Sequence, residues 1–164
     1  MLHRNRMFPV INNFDSLLDT RFCSVRDAQL SVVPDPAGSH VPSGNRMARI
    51  TFAPADFSTF VMEEPYPDWQ GYSELEFLAY SDLQMPVTLV VRIEDERHNN
   101  NYNDRFNAAF MINPGINAIH IPLTEIENAP EARRLDMTAI AAFMIFAVSP
   151  PKSFSLYFDD FRLR

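Results

Sequence analysis

Val87-Thr88-Leu89-Val90-Val91-Arg92-Ile93-Glu94 puts Val87, Leu89, Val91 and Ile93 on one side of an extended chain, with Thr88, Arg92 and Glu94 on the other. Successive side chains of a strand point to opposite faces, so this stretch reads as a strand with a core face and a partly polar face. Seven runs of similar character surround it from residue 47 onward, at 47–52, 59–62, 75–80, 105–112, 116–123, 142–148 and 154–163. β-Branched and aromatic residues fill most of them, and turn-forming residues bound them. Glycine is scarce at 4 and proline plentiful at 13, and most prolines fall between the runs, where no ladder hydrogen bond is lost. Upstream, weaker runs lie near 7–12 and 29–33, and 34–45 reads as a loop rich in Pro, Gly and Ser. Helical signal is confined to 124–128, where Thr124 can cap and Glu127 follows three residues on, and to 136–141, where Asp136 can cap. Many short strands with almost no helix predict an all-β fold, an antiparallel β-sandwich with jelly-roll connections.

The chain's 164 residues are expected to form a single domain spanning 1–164, and 46% hydrophobic against 21% charged residues excludes global disorder. A formal net charge of −7 argues against nucleic acid as a partner, because binding the phosphate backbone needs clustered Lys and Arg. Cys23 stands alone, which removes intramolecular disulfides, cysteine-based zinc sites and redox pairs. No apolar run reaches the ~18 residues of a membrane span. The N-terminal residues lead into Pro9, Asn12, Asn13 and Asp15 rather than a signal-peptide core, so neither membrane segment nor leader is expected within the chain.

The most unusual composition lies between two strands, in Ile93-Glu94-Asp95-Glu96-Arg97-His98-Asn99-Asn100-Asn101-Tyr102-Asn103-Asp104-Arg105-Phe106-Asn107. Asp95, His98, Asn100, Tyr102, Asp104 and Arg105 supply short acceptors, an amide, an imidazole, a ring and a forked donor within one connection. That inventory suits sugar hydroxyls and sugar C–H faces. Equally, Asn and Asp can satisfy their own backbone through local turns. Since Asp104 and Arg105 point to opposite sides where a strand starts, Arg105 is expected to face a ligand and Asp104 to anchor the loop. Glycoside hydrolysis would need two positioned carboxylates, and no second acidic pair stands at a place the sequence sets opposite the first.

A second aromatic group, Tyr66, Trp69 and Tyr72, lies in a turn-rich segment. Trp69 there is either a platform for a sugar ring or a plug closing one end of the sandwich. Near the C-terminus, Asp159 and Asp160 are adjacent inside an apolar strand, so one of them must aim inward or at a sheet edge. A buried carboxylate needs an arginine, hydrogen bonds or a metal. With Asn12, Asn13 and Asp15 near the other terminus, an oxygen-rich calcium site is chemically reasonable. Should the loop carry no sugar, the open sheet face near Arg92, Asn107 and His120 is the next place to look.

Asp68-Trp69-Gln70-Gly71-Tyr72 with Leu75-Glu76-Phe77, Val91-Arg92-Ile93-Glu94-Asp95, Tyr102-Asn103-Asp104-Arg105-Phe106, Pro114-Gly115-Ile116-Asn117 with Ile121-Pro122-Leu123, and Leu156-Tyr157-Phe158-Asp159-Asp160 follow in that order. This order resembles the galactose-binding-like β-sandwich, a superfamily that includes carbohydrate-binding modules and the domain of the complex I intermediate-associated proteins. It is also similar to soluble domains of bacterial VanZ-like proteins. The resemblance is clearest over residues 68–164. It implies a noncatalytic module that binds glycans, often stabilised by calcium, with Asp15 and Asp159 at the positions matching the family's metal ligands. Ile116 follows Pro-Gly where related sequences often carry Trp, which implies short or soluble glycans rather than crystalline polysaccharide. The assembly-factor relatives imply the alternative, a domain that binds a protein partner.

Overall fold

The computed structural model describes residues 7–16, 18–38, 44–63 and 66–164. Among these, eleven strands form two antiparallel sheets. The strands are β1 (Val10–Asn12), β2 (Cys23–Arg26), β3 (Ala28–Pro34), β4 (Arg46–Phe52), β5 (Phe57–Glu63) and β6 (Glu74–Ser81). They continue as β7 (Val87–Asp95), β8 (Phe106–Ile112), β9 (Gly115–Pro122), β10 (Ile140–Val148) and β11 (Phe154–Leu163), with one short helix, α1 (Leu123–Glu127). The first sheet runs β3-β4-β11-β6-β9, and β1 also pairs with β11; the second runs β2-β5-β10-β7-β8. Neighbours in each sheet are mostly distant in sequence, as jelly-roll connections require.

Alternation along each strand decides what meets in the middle. Leu89, Val91 and Ile93 of β7, Phe60 and Met62 of β5, and Phe143 and Ile145 of β10 are all buried on the inner face of the second sheet. Opposite them lie Ile50 and Phe52 of β4, Phe77 of β6, and Leu156, Phe158 and Phe161 of β11. Phe77 stacks on Phe161 with centroids 5.0 Å apart, and Phe143 meets Phe161 edge-on at 5.5 Å, linking the two sheets through rings. Each such side chain contributes about 1.5–3 kcal/mol by leaving water.

Two segments depart from the sequence expectation. The strand β2 has no buried face, with Ser24, Val25 and Arg26 all exposed, so it carries no periodic signal and exists by pairing its backbone with β5. The helix expected over 136–141 does not form. The Asp136 carboxylate does accept from the Thr138 N–H at 3.0 Å, but it closes a turn, and β10 begins at Ile140, whose N–H donates to the Pro67 carbonyl at 3.0 Å. Cap chemistry was present, and sheet pairing overrode it. Residues 39–43 of the expected 34–45 loop, and residues 1–6, lie outside the described residues.

This architecture leaves the outer face of the second sheet open. Across its middle, register aligns Ser24, Val61, Met144, Arg92 and Asn107 in one row, and Arg26, Thr59, Phe146, Val90 and Ala109 in the next. The connection from Asp95 to Arg105 closes one end of that face.

Candidate functional site

Asp95 ends β7 and Asp104 ends the 3-10 turn Tyr102–Asp104 that precedes β8. Both carboxylates are buried, and the guanidinium of Arg133 lies between them. Its Nη1 and Nη2 donate to Asp95 Oδ2 and Oδ1 at 2.5 and 2.8 Å, while Nε and Nη2 donate to Asp104 Oδ1 and Oδ2 at 2.6 and 3.0 Å. One fork thus satisfies two carboxylates, the strongest hydrogen-bond geometry a side chain offers. Hydrogen bonds from Arg133 hold the Asp104 carboxyl down at about 2. Burial pushes Asp95 up, but hydrogen bonds from Arg133 and from the Asp136 and Arg97 N–H groups outweigh it and leave Asp95 below the usual carboxylate range. The same bonds raise Arg133 above the ordinary arginine range.

The asparagines of this connection serve its own backbone. Asn99 Oδ1 accepts from the Asn101 N–H at 2.9 Å, Asn101 Oδ1 accepts from the Asn103 N–H at 3.1 Å, and Asn100 takes a left-handed φ of 68°. The His98 side chain is nearly buried; its Nδ1 lies 3.1 Å from the Asp104 carbonyl and its Nε2 3.4 Å from Arg92 Nη2. The ring thus lies between Asp104 and the Arg92–Glu94 pair, with Nε2 also 3.6 Å from Glu94 Oε2. Of the residues singled out in this loop, Asp95, His98 and Asp104 are therefore tied into the loop itself, Asn100 is exposed at a left-handed turn, and Tyr102 and Arg105 stand toward the sheet face. Tyr102 is 65% exposed, and the Arg105 guanidinium sits 5.4 Å from its ring centroid. Arg105 Nε also donates to Asn107 Oδ1 at 3.2 Å.

Arg105 reaches onto the open face of the second sheet, where a depression of about 170 Å³ lies. Its floor is Met144 and Phe146 of β10 with Thr59 of β5; Phe57 stands at its edge, and Arg26, Arg92 and Arg105 surround it. Phe57 meets Phe146 edge-on, with centroids 5.8 Å apart. Arg92 donates through Nε and Nη2 to Glu94 Oε2 at 2.8 and 2.5 Å. Arg92 and Asn107 were legible as face residues in the sequence, whereas Arg26, Phe57, Thr59 and Met144 were not. They come from β2, β5 and β10, and nothing in one dimension says those strands are neighbours. His120 lies on the first sheet instead, 2.8 Å from Glu74 Oε1.

Trp69 belongs to the core. It is 1% exposed, and its backbone N–H donates to the Met137 carbonyl at 2.8 Å, so the ring packs as a plug at the end of the sandwich rather than as an exposed sugar platform. Tyr66 is half-buried and packs on Phe8 with ring centroids 5.0 Å apart. The two aromatics do not line the depression that Arg105 borders.

Asp15 and Asp159 lie in different settings. Burial first, then the charges of Asp19 and Asp160, push the Asp15 carboxyl up, and Asn13 Nδ2 donates to its Oδ2 at 3.0 Å. Gly44, at φ +61°, packs directly against that carboxylate, leaving no room for a Cβ. Asp159 is fully buried in β11. Among the described residues, three acid or imidazole side chains with ligand atoms within 4.8 Å of one another occur at Glu74, Glu76 and His120, a group that includes neither aspartate.

Solved structures share this fold. A family 11 carbohydrate-binding module from Clostridium thermocellum, in complex with a β-1,3-1,4-mixed-linked tetrasaccharide, superposes with a TM-score of 0.66 at 15% identity, over 94% of this chain and 93% of that one. The CBM22-1 xylan-binding domain from Paenibacillus barcinonensis Xyn10C gives 0.62 at 11% identity, over 93% and 90%. An exo-β-agarase gives 0.72 at 12% identity over 94% of this chain, which spans only 25% of the agarase chain. No protein-family model and no curated protein sequence matches the chain. The chain thus shares the two-sheet β-sandwich fold of these carbohydrate-binding modules.

Proposed function

We propose that the chain is a noncatalytic carbohydrate-binding module that takes short or soluble glycans on the open face of the second sheet, with Tyr102 and Arg105 at the loop end of the site. The observation that carries this reading is the depression itself, where a ring and a thioether form the floor and forked donors stand around it. Sugar rings present an apolar C–H face and a rim of hydroxyls, and this lining answers both. Neighbours of the chain's own length being carbohydrate-binding modules supports the same reading. Glu94 is the carboxylate that contacts the arginines of the depression, and it is committed to Arg92. Hydrolysis asks for two carboxylates astride a bond, so binding without turnover fits the arrangement better.

A glycan-array screen of the purified domain tests the proposal, followed by calorimetry on Phe57→Ala and Tyr102→Ala. Each variant is expected to lose about 1–3 kcal/mol of binding free energy if stacking on a sugar resembles stacking on a base, with an unchanged melting temperature. A screen with no binder overturns the reading.

A protein-binding role has one observation in its favour. Phe57, Val148 and Met111, on the outer face of the second sheet, are 57%, 54% and 62% exposed, and clustered apolar exposure is also how protein interfaces begin.

The calcium implied by the family resemblance is likewise a proposal, with Asp15 and Asp159 as its protein ligands. The crowding of Asp15 by Asp19 and Asp160 is the kind of repulsion a divalent cation relieves. Calcium there would supply a cross-link between the N-terminal segment and β11, and no chemistry.

A further inference from the structure

The depression on the second sheet gathers positive charge in a protein whose formal net charge is −7. Arg26 comes from β2, Arg92 from β7 and Arg105 from the residue just before β8, so three separate segments bring guanidinium groups to one hollow of about 170 Å³. Register explains how. Arg26 lies opposite Thr59, which lies opposite Phe146; Arg92 lies opposite Met144 in the adjoining row. Every lining residue is apolar, a hydroxyl or an arginine, and none is an acid. Glu94 forms its ion pair with Arg92, and its charge reaches Arg105 only at longer range. Arg105 is engaged by Asn107 and the Tyr102 ring, both uncharged, and no carboxylate among the described residues forms an ion pair with Arg26.

Two guanidinium groups, those of Arg26 and Arg105, therefore stand beside a partly buried floor with no ion pair among the described residues. Burial, and then the like charge of Arg92, lower Arg105 from the ordinary arginine range, so the protein itself bears a cost that a bound anion would remove. For a neutral glycan this arrangement is poorly chosen. Guanidinium has five donors and no acceptor, whereas a hydroxyl wants both, and its planar fork matches a carboxylate or a sulfate.

We infer that the glycan taken on this face carries an anionic substituent, a carboxylate or a sulfate ester, seated among the guanidinium groups of Arg26, Arg92 and Arg105. The inference rests on the carbohydrate-binding reading above and specifies its ligand. The sugar ring lies over Met144 and Phe146, and its acidic group turns toward the arginines. Because the rest of the protein is acidic, the attraction is local and suits isolated acidic groups on a saccharide rather than a dense polyphosphate.

Matched saccharide pairs test it by calorimetry: an oligogalacturonate against its methyl ester, and a sulfated galactan oligosaccharide against its desulfated form. At low salt the acidic member of at least one pair is expected to bind tenfold or more tighter, on the order of one charge-assisted contact, and the pair that does so identifies the group. High salt should narrow the gap. In Arg26→Gln and Arg105→Gln the preference should collapse while the melt stays that of the parent. Neutral members binding as well as acidic ones would overturn the inference and leave the carbohydrate-binding reading standing. A preference that persists in the double variant would overturn the assignment to these arginines. If no saccharide of either kind binds, both fall together, and polyglutamate binding as tightly as the acidic saccharide would move the site to acidic proteins.

Discussion

Arg133 lets Asp95 and Asp104 stay ionised out of water, and the shape of the connection from Asp95 to Arg105 depends on it. Removing the guanidinium strands two buried acids, so Arg133→Met is expected to cost about 3 kcal/mol, read from the urea midpoint. The pH dependence follows with a definite sign. Asp104 titrates at about 2 in the folded chain against 3.8 ordinarily, and Asp95 is lowered as well. Carboxyls depressed by folding stabilise fully above their ordinary value and lose that contribution as pH falls toward the folded one. Stability of the parent should therefore drop between about pH 4 and pH 2, and Arg133→Met should drop less over that window; parallel curves would contradict the triad. Arg133 itself was illegible in the sequence, because it sits in an aperiodic stretch with no motif. Asp95 reads as a ligand contact, and the partner of the Asp104 anchor stays hidden, for the same reason: an arginine 29 or 38 residues away leaves no local trace.

Strands announced themselves wherever one face is buried and the other is not. The strands β6, β7 and β11 could be read almost to the residue, since inward Phe, Leu and Val alternate with polar side chains. β2 could not, being an edge of four residues with nothing to bury. The segment 66–72 shows the opposite difficulty, for its composition is that of a loop while its tryptophan is core. Whether a loop aromatic plugs or stacks depends on what covers it, and here the turn ahead of β10 does the covering. Trp69→Ala is accordingly expected to destabilise by roughly 3–5 kcal/mol while the fraction that folds binds glycan normally. Tyr102→Ala should show the reverse. Thermal melts paired with titrations separate the two, and equal behaviour of both variants would remove the distinction drawn between plug and platform.

At the scale of the molecule, the first and last of the described strands pair with each other. β1 pairs with the end of β11 while β4 pairs with its beginning, so both share one edge of it, and β6 holds the other. A cation between Asp15 and Asp159 would brace that junction. Exhaustive chelation should then lower the melting temperature and calcium restore it by mass action, whereas an indifferent melt and a metal-free elemental analysis would dismiss the site. The position of β11 also governs when the fold can appear at all. Until residues 154–163 have been made, β4 and β6 have no strand between them, and the first sheet is split into the β3–β4 and β6–β9 pairs, each with an open edge. During synthesis the chain must carry most of its core aromatics unsheltered, with the N-terminal strand waiting for its partner. A chain cut before β11 is thus expected to aggregate through those open edges rather than fold as a smaller domain.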